Sequence, residues 1–402
     1  MPIVTDKNKI QEVLTRGVDK IIPEGFLEKQ MLSGKKLKLY FGIDPTGSVL
    51  HLGHSVVLRK LKAFQELGHQ VVLLIGDFTA KIGDPTDKLA QRQPLSDKQV
   101  KENMQTYKKQ TSKILDFSKI ELAYNSQWLK KLSFEKIIEI ASNFSVQRLL
   151  ERDMFEKRLK EGKNISLVEF LYPLMQGYDS VILNVDLEIA GSDQLFNAIA
   201  GRNLQKVYNS KEKSVLTFKL LAGTDGRKMS KTLGNFIALE EKPAEMFGKI
   251  MSIKDELIKE YFELTTDLPL EEIKTIIEKN PNPKDQKVIL GLELVKMYHG
   301  EKEALKAKEE FNKVFKDKEL PSEIPTFKAE KEEYPILDLL FESNLAKSKN
   351  EAKRLVESGA ISINQQKETN WQKNILLKEN DVVQAGKRKF VKIKINANNP
   401  NN

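Results

Sequence analysis

Two histidines flank a leucine and a glycine at His51-Leu52-Gly53-His54, and two lysines bracket Met229 and Ser230 at Lys228-Met229-Ser230-Lys231-Thr232. Imidazole N–H groups and lysine ammonium groups hold phosphate oxygens, and a glycine lets a ligand lie against bare backbone. The two segments are far apart in the chain, so only a sizeable folded domain could join them. If they share one site, its ligand is a nucleoside triphosphate and the chemistry occurs at phosphorus.

Each segment alone has a plainer reading. Two histidines can begin a zinc site, but a tetrahedral site needs further ligands. The chain has no cysteine and four histidines in all, with His69 well along the following helix. The pair could also be a capped helix start with incidental histidines, and the lysines a solvated loop. Other phosphate cradles are missing. No G-x-G occurs in the chain, and no G-x-x-x-x-G-K-[ST].

The elements that must position these residues follow an α/β pattern. Residues 37–44 read as a strand with Leu37, Leu39, Phe41 and Ile43 on one face, ended by Pro45, Gly47 and Ser48. Val57, Leu61, Phe64 and Leu67 then recur at helical spacing, and Gly68 serves as a C-cap. Residues 71–75 form a continuous apolar run, the kind buried on both faces of a parallel sheet. His51 and His54 therefore sit at a helix N-terminus, where backbone N–H groups and the dipole favour an anion.

A polar loop broken by Gly and Pro follows at 76–87, then a mostly helical insertion from about 96 to 162. A strand within 181–190, with Val185, Leu187 and Ile189 alternating, runs into Gly191-Ser192-Asp193-Gln194 and a helix at 196–204. A strand at 215–221 ends in the turn Gly223-Thr224-Asp225-Gly226, just before Lys228. All these loops follow strands, and parallel sheets bind ligands beyond the carboxyl ends of their strands. Residues 243–315 read as helical and charged, 321–325 as a linker. Beyond lie short helices at 336–341 and 349–358, a C-cap at Gly359, strands at Ile361, Val382 and Phe390, and a disordered tail at 396–402.

Composition narrows the class. The 402 residues carry a formal charge of +9 and are 40% hydrophobic, which suits a multidomain globular protein. From Pro335 onward there are 12 Lys and Arg against 7 Asp and Glu. A basic terminal module suggests a polyanionic partner, most simply nucleic acid. The absence of cysteine excludes disulfides, thiolate metal sites and cysteine catalysis. Residues 1–14 show no signal-peptide pattern, and the apolar run at 71–75 is too short to span a bilayer. A soluble cytoplasmic protein is expected, with no membrane association and no protein-bound metal.

Taken together, the two segments resemble the HIGH and KMSKS signatures of the class I aminoacyl-tRNA synthetases. Here Leu52 stands for isoleucine and Thr232 for serine, and neither change removes a phosphate contact. Four further stretches are similar to the tyrosyl-tRNA synthetase family. They are Tyr40-Phe41-Gly42-Ile43-Asp44-Pro45-Thr46, Ile82-Gly83-Asp84-Pro85, the set Tyr172, Gln176 and Asp179, and Gly191-Ser192-Asp193-Gln194. Residues 335–395 resemble the small basic RNA-binding fold named after ribosomal small-subunit protein S-four.

The resemblance implies a Rossmann-like parallel-sheet catalytic domain over 1–240, with a helical insertion at about 96–165. It implies an all-helical anticodon-recognition domain with its linker at 241–325, and the S-four-type α+β domain at 335–395. The implied activity joins tyrosine to tRNA(Tyr) through ATP and Mg²⁺, in a homodimer whose contacts come from about 130–165. By the same resemblance Tyr40 and Asp179 take the substrate phenol, while Tyr172, Gln176 and Asp84 take its ammonium group. Asp44 and Gln194 stand near the amino acid and its carboxylate, and Asp193 at the ribose. Thr46, His51 and His54 lie on the β- and γ-phosphate side, with Gly53, Met229 and Ser230 in the ATP site. Lys88, Arg92, Lys228, Lys231 and Thr232 grip the departing pyrophosphate. Lys387, Arg388 and Lys389 face RNA.

Three rivals stand beside this reading. A tryptophanyl enzyme shares the scaffold without the Tyr40 and Asp179 pair or the basic terminal fold. A nucleotidyltransferase with an H-x-G-H site needs no second motif and no RNA module. A non-catalytic RNA-binding descendant should have lost lysines or histidines that this chain keeps.

Overall fold

The computed structural model describes residues 2–86, 95–231, 233–316, 319–321, 324–386 and 389–395. Lys88, Arg92, Thr232, Lys387, Arg388 and the tail 396–402 lie outside the described residues. The chain divides into two compact units, 1–304 and 305–402.

The first unit is built on a six-stranded sheet. Its strands are β1 (Val18–Ile22), β2 (Lys38–Ile43), β3 (Gln70–Ile75), β4 (Ile120–Tyr124), β5 (Leu187–Gly191) and β6 (Ser214–Phe218), in the spatial order β1-β6-β5-β2-β3-β4. The chain moves outward from β2 through β3 to β4, then returns to β5 on the other side of β2. That reversal is a topological switch point, where α/β sheets open a crevice. β2 and β5 pair only at Leu39↔Leu187 and Tyr40↔Glu188. Beyond that point they separate, and the ends of both strands face the opening.

One expectation is corrected and two are refined. The sheet is mixed, not all parallel, because β1 runs antiparallel to β6 at one edge. The stretch 96–162, read as mostly helical, also contains β4, which pairs with β3 from Val71↔Ile120 to Ile75↔Tyr124. On β2, Tyr40 is 1% exposed while Phe41 is half-buried. Helices cover both faces of the sheet, so alternation alone does not tell which face is inside.

Other expectations hold locally. The helix Leu52–Glu66 begins at His51 and ends before Gly68, whose φ of +90° only glycine adopts easily. β3 is buried from Val71 to Ile75. The helices Leu167–Leu183 and Leu195–Asn209 pack closely. At Gly177 an added Cβ would lie 3.0 Å from Leu204 and 3.2 Å from the backbone of Gly201, so small residues set that approach. Helices Pro243–Met251, Ile258–Thr265, Leu270–Lys279 and Pro283–His299 complete this unit. Arg16 ties it together by donating to the carbonyls of Glu263 and Thr266, each at 2.8 Å.

The second unit is a small α+β fold. Strands β7 (Thr326–Ala329), β9 (Ile361–Ile363), β10 (Gln366–Glu368), β12 (Val382–Ala385) and β13 (Lys389–Ile395) form one sheet, in the order β10-β9-β12-β13-β7. β8 (Glu333–Pro335) and β11 (Asn374–Leu376) pair separately. The helices Ile336–Glu342 and Lys349–Glu357 close the core through Leu339, Leu340, Ala352 and Val356. Because β7 pairs parallel with β13, this fold takes in residues ahead of 335. Among the described residues no helix is long and apolar enough to cross a membrane.

Candidate active site

A cavity of about 410 Å³ opens where β2 and β5 separate. Its walls include Tyr40, Asp44, Thr46, His51, Gly53, His54, Asp84, Tyr172, Gln176, Asp179, Asp193, Gln194, Lys228 and Met229. Fourteen positions singled out in the sequence, from β2, from two helices and from turns after several strands, thus meet around one space. Ser230 and Lys231 are not among the lining residues, but they belong to the loop that borders it.

At the outer end, the helix start shapes the histidines. The backbone N–H of His51 donates to His54 Nδ1 at 3.2 Å, and the two rings lie 3.9 Å apart. A neutral imidazole that accepts at Nδ1 carries its proton at Nε2, so His54 offers an Nε2–H donor. His51 Nδ1 is buried without a hydrogen-bond partner. A Cβ on Gly53 would press within 3.0 Å of the His51 ring, so glycine keeps that ring's place. Burial, then the neighbouring His54 and Lys231, holds the His51 pKa down at about 2. Burial and Lys231 hold His54 at about 3. Both rings are therefore neutral at physiological pH.

Lys231 reaches the same place from the other motif. A Cβ on Gly47 would stand 2.9 Å from its Nζ. Lys228 Nζ meets Asp193 Oδ2 at 2.9 Å. The loop that carries these lysines is pinned by Asn235, which accepts from the Ser230 N–H at 2.8 Å and donates to Asp225 at 2.7 Å. A short bridge between His51 and Ala238 fastens the first motif to the segment that follows the second.

The inner end is a closed polar network. Asp44 takes hydrogen bonds from Thr79 at 2.7 Å and from the Tyr172 hydroxyl at 2.9 Å. A Cβ on Gly76 would overlap the Asp44 carboxylate, which explains that glycine. Gln194 donates to Asp84 at 2.5 Å, and Gln176 to Glu188 at 3.1 Å. Asp179 accepts from Trp128 Nε1 at 2.8 Å and from Asn125 Nδ2 at 3.2 Å. Tyr40 Oη lies 3.0 Å from Ser180 Oγ.

Comparison with known proteins decides what this crevice belongs to. The family described as tRNA synthetases class I (W and Y) matches residues 32–316, and the tyrosine–tRNA ligase SYY-like C-terminal domain matches 316–393. A tyrosine–tRNA ligase of Carboxydothermus hydrogenoformans is 48% identical, over 98% of this chain and 99% of that protein. One from Thermotoga maritima is 46% identical over 95% and 96%. The chain belongs to the tyrosine–tRNA ligase family.

Solved tyrosyl-tRNA synthetases share the fold. A C-terminally truncated mitochondrial enzyme of Aspergillus nidulans superposes with a TM-score of 0.65 at 23% identity, over 76% of this chain and 94% of that one. The Archaeoglobus fulgidus enzyme complexed with L-tyrosine gives 0.60 at 21%, over 75% and 99%.

Within this family member, the sequence reading missed the residues that hold the motif residues in place. Asn125 and Trp128 support Asp179, Thr79 supports Asp44, and Asn235 supports the lysine loop. Arg152 is 7% exposed, donates to Thr86 at 2.8 Å and stacks on Phe196, while Thr86 donates to Asp84 at 2.7 Å. Glu188, Ser180 and Lys213 form a buried group behind Tyr40. One signal was available: Glu188 is a charge inside an otherwise apolar strand, and buried charges are paired. Burial, followed by the charges of Glu188 and Asp179, pushes the Tyr40 pKa well above its ordinary value. Burial likewise raises Asp179, although its two N–H donors pull the other way.

Proposed function

We propose that this tyrosine–tRNA ligase places its substrates along the crevice, with the amino acid at the closed end and the triphosphate at the histidine and lysine end. The observation that carries this reading is the meeting of both motifs and the Tyr40, Asp179 and Tyr172 set around one cavity. In the first step a carboxylate oxygen of tyrosine attacks the α-phosphorus of ATP, and the bond to the β-phosphate oxygen breaks. Tyrosyl-adenylate forms and pyrophosphate leaves. In the second, a ribose hydroxyl of the tRNA's terminal adenosine attacks the adenylate carbonyl and AMP leaves.

The attacking carboxylate is already ionised, so the first step needs no general base. The site supplies alignment and positive charge instead. Asp44, Asp84, Tyr172 and Gln176 take the ammonium end of tyrosine, and Tyr40 and Asp179 the phenol. Asp193 takes the ribose, and Gln194 stands by the activated carboxylate. His54 donates through Nε2 beside His51 and Thr46, while Lys228 and Lys231 face charge gathering on the leaving group. Lys88, Arg92 and Thr232 belong to the same grip. The described residues form no group of three or more His, Asp or Glu that could hold a metal. Mg²⁺ enters on the triphosphate, as part of the substrate.

Tyrosine-dependent exchange between ATP and pyrophosphate tests the assignment. Exchange is expected with tyrosine and not with tryptophan or phenylalanine, and tryptophan-dependent exchange would overturn it.

The second unit, as an S-four-type fold, and the helices of 241–325 take the tRNA. Lys389, Lys392 and Lys394 on β13, with Lys387 and Arg388, supply phosphate contacts. A chain ending after residue 316 is expected to keep exchange, to charge tRNA poorly, and to show a shallower salt dependence of charging than the full chain. Charging by that shortened chain at the full chain's rate and with the full chain's salt dependence would reject the role. Dimerisation through the insertion, in the cytoplasm, completes the proposal. Phe134, Ile138, Val146 and Leu167 are 77%, 56%, 62% and 78% exposed there, an apolar face a partner subunit would cover. A monomeric mass at micromolar concentration would reject it.

A further inference from the structure

Behind the closed end of the pocket lies an ion pair that no motif marks. Lys213 and Glu188 are 0% and 2% exposed, and Lys213 Nζ donates to a Glu188 carboxylate oxygen. Nζ also donates to Ser180 Oγ at 2.7 Å, and Ser180 Oγ in turn meets Tyr40 Oη at 3.0 Å. The other Glu188 oxygen holds the Gln176 amide at 3.1 Å. Strand register creates this meeting. Tyr40 stands beside Glu188 across β2 and β5, and Ser214, next to Lys213, stands beside Leu187 across β5 and β6. Gly201 leaves the room for it, since a Cβ there would fall 2.6 Å from Ser180 Oγ and 2.8 Å from Lys213 Nζ.

A buried ion pair is weak evidence for stability, because desolvation offsets its attraction. It does impose direction on hydrogen bonds. An ammonium only donates, and a hydroxyl receives one proton and passes one on. Resting on the tyrosine placement given above, we propose that Lys213 and Ser180 are positioning residues that orient the hydrogen bonds reading the substrate phenol. Lys213 donates to Ser180, Ser180 to Tyr40, and Tyr40 to the phenol oxygen, whose own proton goes to Asp179. Neither Lys213 nor Ser180 touches the substrate.

Each link has a reason. Ser180 has one proton and two possible acceptors, Tyr40 at 3.0 Å and Glu188 at 3.3 Å. Glu188 is already served by Lys213 and Gln176, so the shorter bond to Tyr40 takes it. Tyr40 keeps its proton because it is buried among carboxylates. Both Asp179 oxygens already accept N–H bonds, so that carboxylate ends the chain as an acceptor. Phenylalanine offers no oxygen, and the Tyr40 O–H would be left against an apolar ring.

The test uses the full chain and reads kcat/KM for tyrosine and for phenylalanine in ATP–pyrophosphate exchange, with KM for ATP. Ser180→Ala breaks the relay and leaves the ion pair. Its tyrosine value is expected to fall about tenfold, the scale of one neutral hydrogen bond. Its phenylalanine value and KM for ATP are expected to hold. The double variant Lys213→Met, Glu188→Gln keeps volume without charge and should lower the tyrosine-to-phenylalanine ratio in the same way. A packing role would instead lower both amino acids together, and that result overturns the relay. Tyr40→Phe separates the two layers of the argument. If it loses the ratio while Ser180→Ala keeps it, the relay is wrong and the phenol placement stands. If neither variant changes the ratio, the phenol placement fails and the relay fails with it.

Discussion

The two ends of the crevice are built on opposite principles. At the closed end Tyr40, Asp179, Ser180 and Lys213 are each at most 2% exposed, and their polar atoms are already bonded, Ser180 to Tyr40 and Lys213, and Asp179 to Trp128 and Asn125. At the outer end the Lys228 side chain is 48% exposed, and a buried His51 nitrogen has no partner. In the proposed placement the closed end recognises a neutral phenol, so it can be finished before the substrate arrives. In the same placement the outer end handles a triphosphate whose charge shifts during reaction, and an ion pair such as Lys228 with Asp193 would yield when ligand enters. Selectivity and rate should therefore belong to different residues.

Crossed substitutions give the largest effects and can break this division. Lys231→Ala and His54→Ala are each expected to slow adenylate formation by about 10²- to 10³-fold, the scale of one preorganised donor. The preference for tyrosine over phenylalanine should survive. Asp179→Ala is expected to erode that preference by about 100-fold, since it removes a charged acceptor. A site that hydrogen-bonds a hydroxyl rejects the analogue lacking it, and tyrosyl-tRNA synthetases are themselves the standard example of the rule. Pre-steady-state adenylate formation with each amino acid reads both quantities. Loss of preference in Lys231→Ala, or an unaltered preference in Asp179→Ala, would merge the two ends.

The same contrast explains what the sequence reveals. The outer end is written locally. His51 and His54 lie within one turn, the two lysines within four positions, and apolar runs bounded by Gly and Pro mark β2, β3, β5 and β6 around them. The closed end depends on register between strands distant in sequence. Nothing near Lys213 announces that it will sit behind Tyr40, because Lys213, Ser180 and Glu188 meet only when β5 lies between β2 and β6. The missed strands have a simpler cause. β1 and β4 are edge strands with Asp19, Lys20 and Glu121 among their residues, and neither shows the apolar run of a central strand.

A smaller effect sharpens the outer end. The His54 pKa in the folded chain is about 3, against an ordinary value near 6.5 in the unfolded chain. Between these values the unfolded state binds a proton that the folded state refuses. Stability is therefore present above about pH 6.5 and declines as pH falls. One such group contributes at most about 1.4 kcal/mol for each pH unit. His54→Asn keeps an acceptor for the His51 N–H and removes the titration. Its denaturant midpoint should fall less than that of the natural chain between pH 6.5 and 4.5. Parallel curves would mean that the folded ring takes its proton normally. Below about pH 6.5 the outer end would then present an imidazolium to the triphosphate beside the lysines.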